Sequence, residues 1–133
     1  MTKKASPVMQ DIWLLILRVV AAGSMLTHGI PKLLNVINGQ FRFPDPLGIG
    51  SVSSLLLATG AEFFCSVLVL LGIYTRWTSM PIAFSMFVAV FFAHSDDVFA
   101  KKELAVVYML LFITLSVFGG GNYAVGKLMG NKE

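Results

Sequence analysis

The groups able to do chemistry in this sequence are few, and they stand inside apolar runs. Arg18, His28 and Lys32 interrupt IWLLILRVVAAGSMLTHGIPKLL, and Glu62 is the sole ionisable side chain of its kind within VSSLLLATGAEFFCSVLVLLGIY. An imidazole changes charge near neutral pH, a carboxylate moves or accepts a proton, and a cation beside the carboxylate keeps it ionised. Such a set suits hydrogen bonding and proton transfer at the polar end of a lipophilic molecule.

Helical spacing sorts these groups into stripes. At about 100° per residue, Arg18, Ala21, Met25, His28 and Lys32 fall within an arc of roughly 80°. In the second run Thr59, Glu62, Cys65 and Ser66 share a face with Glu62 at its middle. Counting from helix midpoints at about 1.5 Å per residue, Glu62 lies near the centre, Arg18 roughly 7 Å toward one side and His28 about as far toward the other. An unpaired charge at mid-bilayer costs at least about 2.5–3.5 kcal/mol. The sequence therefore predicts a structural ion pair between Arg18 and Glu62. Lys32 is expected to snorkel to the interface, and Pro31 to open the last turn of the helix.

The elements that carry these stripes follow from composition. The chain has 133 residues, 56% hydrophobic and 13% charged, with mean hydropathy +0.80. Soluble domains carry about a quarter charged residues. Four apolar stretches predict helices at about 11–34, 52–74, 77–96 and 103–121, in a single membrane domain spanning 1–133: an all-α integral membrane bundle of four transmembrane helices. A soluble bundle would show a polar face every turn, and Leu104–Gly126 has no charged residue. Arg18 in the middle of the first stretch argues against a cleaved signal peptide.

Between the first two helices, NVINGQFRFPDPLGIGS reads as an ordered loop with Phe41 and Phe43 turned inward. With four spans the termini share a side with the Tyr74–Thr78 hairpin. Lys3, Lys4, Arg76, Lys127 and Lys132 on that side, against Lys32, Arg42, Lys101 and Lys102 on the other, favour cytoplasmic termini. Trp13, Tyr74, Trp77 and Tyr123 fall at the cytoplasmic boundary.

HGIPKLL, AEFFCSVLVLLGIYTR, FFAHSDD and VFGGGNYAVGKL, in this order over about Asp11 to Lys127, resemble the DoxX/DoxD-like family of small four-helix membrane proteins. The resemblance implies a multi-pass protein of the bacterial plasma membrane. Some relatives are subunits of quinone-linked oxidoreductases acting on reduced sulfur compounds; others belong to thiol and oxidative-stress complexes. The chain departs from the family after Tyr123, where Ala124, Val125 and Gly126 replace the Ser and Asp that relatives often carry.

A quinone site needs an apolar slot open to the bilayer, a donor at the quinone oxygen and a carboxylate for the accompanying proton. The expectation is thus a quinone or lipophilic ligand in a polar pocket between the first two helices. His28 and Glu62 serve as catalytic groups there, with Arg18 and Lys32 as further ligand contacts. Two alternatives stand beside it. One is a non-catalytic scaffold recruiting a redox or stress-response partner through Asn35–Ser51, and the other a small transporter or proton-handling protein.

Cys65 is the only cysteine, so no internal dithiol relay exists, and it is read as a packing residue. HSDD lacks the spacing of a metal site, and none is expected. His28 and His94 end helices on one side and could face a haem iron, but haem is not expected. Small residues such as Ala21, Ala22, Gly23, Gly60 and Ala61 permit helix contacts within one chain or in a homo-oligomer. The net charge of +3 is spread over loops on both faces, which excludes nucleic acid as a partner. The lipid bilayer is the expected environment.

Overall fold

A computed structural model describes residues 7–130. Its four long helices are α1 (Pro7–Ile37), α2 (Ser51–Leu71), α3 (Thr75–Ala93) and α4 (Phe99–Phe118), followed by the short α5 (Val125–Leu128). No strand occurs among the described residues. α1, α2 and α3 are each long and apolar enough to cross a membrane. α4 carries Lys101, Lys102 and Glu103 in its first turns, so its apolar part is Leu104–Phe118.

The packing places polar groups inside and apolar groups outside. Arg18, Ser54, Thr59, Glu62, Ser66, Thr75 and Ser79 are buried, whereas Ile16, Val20, Leu57, Phe64, Phe84, Phe91, Leu110 and Val117 face outward. A lipid solvent produces this arrangement, because acyl chains accept apolar side chains and repel ionised ones. The apolar core that remains is compact: Ala21, Ala22 and Met25 of α1 meet Val69, Ile82, Met86, Tyr108, Phe112 and Leu115 from the other three helices. Trp13, Tyr74, Trp77 and Tyr123 are exposed, and they gather at the end holding the α2–α3 turn, as interfacial aromatics do.

Turn chemistry sets the ends. Gly72 closes α2 in the left-handed region at φ 76°, and a Cβ there would lie 3.0 Å from the Arg18 guanidinium carbon. The hairpin is therefore Gly72–Tyr74, and α3 begins at Thr75, earlier than the sequence pattern suggests. Pro31 does not end α1, which runs on to Ile37. Lys32 Nζ reaches back to the His28 carbonyl at 3.4 Å within that last stretch.

Two helices are not α-helical throughout. Gly60–Cys65 in α2 and Ala89–Ala93 in α3 are π-helical. Each inserts a residue into the turn, which widens the helix and redirects the side chains that follow; such segments occur often at functional sites.

A candidate cavity built on a buried ion pair

The register between α1 and α2 is set by Gly29. A Cβ at this position would collide with the carbonyl of Glu62, lying 2.6 Å from its carbon and 2.8 Å from the Phe63 nitrogen. The two backbones thus touch at the π-helical turn, and only glycine allows it. One turn later Lys32 Nζ meets Glu62 Oε1 at 3.0 Å, with side-chain exposures of 22% and 6%.

This geometry corrects the expected Arg18–Glu62 pair: Glu62 pairs with Lys32, and Arg18 serves the far end of the bundle. The N-terminal third of α1 overhangs the α2–α3 turn, so the helix centres are offset by roughly 8–12 Å at about 1.5 Å per residue. Arg18, only 3% exposed, donates from Nη1 to the Gly120 carbonyl at 2.7 Å and from Nη2 to Tyr123 at 2.8 Å. Its Nε donates to Leu70 at 3.3 Å. Asn122 in the same segment donates its backbone N–H and its side-chain amide to the Asp11 carboxylate at 3.1 and 2.9 Å. Arg18 therefore ties the chain after α4 to the ends of α1 and α2, and it lines neither cavity described below. Lys32 is likewise corrected from a snorkelling residue to the partner of the buried acid.

The backbones of the first two helices touch at Gly29, and the larger cavity among the described residues does not lie between them. The space opens on the other side of Glu62, as a cavity of about 430 Å³ between α2 and α3, roofed by the loop after α1. Phe43, Pro46, Leu57, Phe84 and Val88 make its walls apolar, and Lys32, Glu62 and His94 supply polar groups. A second cavity of about 230 Å³ lies toward α1 and α4, bounded by His28, Lys101 and Tyr108. Lys32, Glu62, Met86, Ala89 and His94 border both. His28 packs edge-on against Tyr108, ring centroids 5.6 Å apart, so it reaches the smaller cavity only.

Two features of the site lie in segments the sequence singled out without giving them these roles. The Asp45 carboxylate organises the roof: Oδ1 accepts from Ile49 N–H at 2.9 Å and Ser54 Oγ at 2.9 Å, and Oδ2 from Gly50 N–H at 2.8 Å. These bonds, with Gly50 foremost, hold its carboxyl below the ordinary value against the opposing effect of desolvation. DPLGIGS is a turn sequence, and an aspartate ahead of two glycines at a helix start is the signal that was available. The second feature is His94, whose Nδ1 lies 2.7 Å from Asp97 Oδ2. That bond, reinforced by Lys101 and Lys102, holds the Asp97 carboxyl below its usual range despite some desolvation.

Comparison with known proteins agrees with this architecture. A protein of Haemophilus influenzae, itself described as uncharacterized, is 31% identical over 124 residues, covering 85% of this chain and 87% of its own length. No solved structure matches. The DoxX family model matches residues 13–95, from the first turns of α1 through the Lys32–Glu62 pair to the end of α3. The chain is a membrane protein of the DoxX family.

Proposed function

We propose that the protein is a membrane subunit of a quinone-linked oxidoreductase system, and that the larger cavity receives the head group of a quinone or similar lipophilic ligand. The supporting observation is the Lys32–Glu62 pair at the base of an otherwise apolar cavity of a size suited to small molecules. The fit is chemical. Lys32 is a donor for a quinone oxygen, Glu62 is a carboxylate for proton exchange, and Phe43, Leu57 and Phe84 offer the ring an apolar surface. When bound, the quinone supplies the electron chemistry, while the residues orient it, exclude water and move the proton. His28 contributes from the smaller cavity, beside Tyr108.

This reading assigns the chain to the bacterial plasma membrane, with both termini cytoplasmic. Of the basic residues behind that orientation, Arg76 and Lys127 are described; Lys3, Lys4 and Lys132 lie outside the described residues. The test is decylubiquinone binding to purified protein in nanodiscs. Glu62→Gln should insert normally and lose binding by at least about tenfold, the loss of roughly one good hydrogen bond to a charged group. Undiminished binding by that variant rejects the assignment.

A second reading is favoured by the exposure of Phe41, Leu47 and Ile49 on the loop that Asp45 braces. There the loop is a docking element for a redox or stress-response partner, and deletion of 41–46 abolishes co-purification while His28→Ala leaves it intact.

A further inference from the structure

His94 borders both cavities yet takes its strongest contact from outside them. Asp97 Oδ2 lies 2.7 Å from Nδ1, and a carboxylate held below its usual range has no proton to give at neutral pH. In the neutral ring Nδ1 therefore donates to Asp97, which fixes the tautomer and leaves Nε2 as an acceptor. The π-helical segment Ala89–Ala93 ends immediately before this residue and turns its backbone out of the helix, at φ −117° and ψ 25°. With 47% of its side chain exposed, the ring is open to the outside at the loop end of α3 while it forms part of the cavity wall.

We infer that His94, oriented by Asp97, is the proton outlet of the cavity and binds selectively the reduced, hydroxyl-bearing form of the lipophilic ligand; this rests on the function proposed above. Nε2 accepts a hydrogen bond from a ligand hydroxyl. When the hydroxyl ionises, its O–H bond breaks, the electron pair stays on oxygen and an Nε2–H bond forms. The resulting imidazolium is stabilised by the Asp97 carboxylate, and the proton leaves to water at the exposed mouth. One proton moves and no electron does. The charged and titratable groups facing His94 are Asp97, Lys101, Lys32, Glu62, His28 and Tyr108. Asp97 alone is within hydrogen-bonding distance of its ring among the described residues.

The tautomer makes a prediction that a merely structural histidine would not. In nanodiscs at pH 8, His94→Gln should weaken decylubiquinol binding about tenfold, roughly one hydrogen bond, and by a clearly larger factor than it weakens decylubiquinone binding. Asp97→Asn replaces a group that can only accept by an amide that can accept or donate, so the ring is no longer held in one tautomer. This variant should reverse the preference, weakening the reduced form and strengthening the oxidised one, as Nε2 becomes a donor in part of the population. Nitrogen-15 spectra of histidine-labelled protein, with His28→Gln for assignment, should show protonated Nδ1 in wild type and a mixture in Asp97→Asn. Equal effects on both redox forms, or a wild-type His94 protonated only at Nε2, overturn the inference. If wild type binds neither form, the proposed function itself fails.

Discussion

Gly29 and Gly23 lie on the same helix, and replacing each by alanine should have opposite effects. At Gly23 an added Cβ meets nothing within 4 Å, so the gain in helix propensity, about 0.5–1 kcal/mol, is realised. At Gly29 the Cβ would lie 2.6 Å from the Glu62 carbonyl carbon, where carbon contacts normally settle at about 3.5–4.0 Å. α1 and α2 must then part by about 1 Å. Overpacking of this kind costs about 1–3 kcal/mol, leaving a net loss of up to about 2.5 kcal/mol after the propensity gain. The movement has a second consequence. Lys32 is carried on the same segment, so its 3.0 Å contact with Glu62 stretches toward about 4 Å, beyond a hydrogen bond. Reversible unfolding in mixed micelles followed by circular dichroism should therefore show Gly23→Ala stabilised and Gly29→Ala destabilised. Decylubiquinone binding should fall in Gly29→Ala alone. Equal stability of the two variants would refute the claim that Gly29 sets the register of the ion pair.

Arg18→Lys should loosen the chain after α4, because one ammonium cannot reproduce a guanidinium fork. Losing two short charge-assisted bonds costs about 3–6 kcal/mol, read as faster hydrogen exchange at Gly120–Tyr123. Lys32→Met should cost about 2–4 kcal/mol by stranding the Glu62 carboxylate, and adding Glu62→Gln should restore part of that stability; a double-mutant cycle in the same micelles decides. The Asp45 roof carries a pH signature. Its carboxyl is depressed in the folded protein, so the stabilisation is complete above the ordinary carboxylate value near 3.8 and disappears as pH falls through the lower folded value. Amide exchange at Ile49 and Gly50 should accordingly stay protected from pH 7 to about 4 and rise only in stronger acid, whereas Asp45→Asn should show the faster exchange throughout.

The helices were legible in the sequence because apolar runs of spanning length admit few structures. The burial of Arg18 and Glu62 was legible for the same reason, since both are costly in lipid and had to be satisfied inside, whereas Lys32 was expected at the interface. The pairing was not legible. Equal depth of two helix midpoints assumes that neighbours are centred on one another, and α1 is not centred on α2. What decides the register is the missing side chain of Gly29 against a π-helical turn, and neither the close approach nor the extra residue has a periodicity to reveal it. The His94–Asp97 contact escaped for a related reason. A polar turn between helices reads as solvated, and only the coordinates place that turn across the mouth of a cavity.

The two buried polar layers differ in what remains open, and this decides which one can do chemistry. Around Arg18 the guanidinium nitrogens are engaged by carbonyls of Leu70, Gly120 and Tyr123, in a shell closed by Gly72 and Thr75. A guanidinium does not deprotonate, and carbonyls already bonded to it offer no ready place for a ligand. That layer holds three chain segments together and has no proton to exchange. The layer at Glu62 has the opposite character. Its carboxylate meets Lys32 through one oxygen, its neighbours His28, His94 and Tyr108 can each donate or accept, and both cavities open onto it. A bundle that needed only internal glue could repeat the Arg18 solution at its other end. Placing a titratable pair there, against empty volume and a histidine already oriented by a carboxylate, costs stability that a purely structural role would not require.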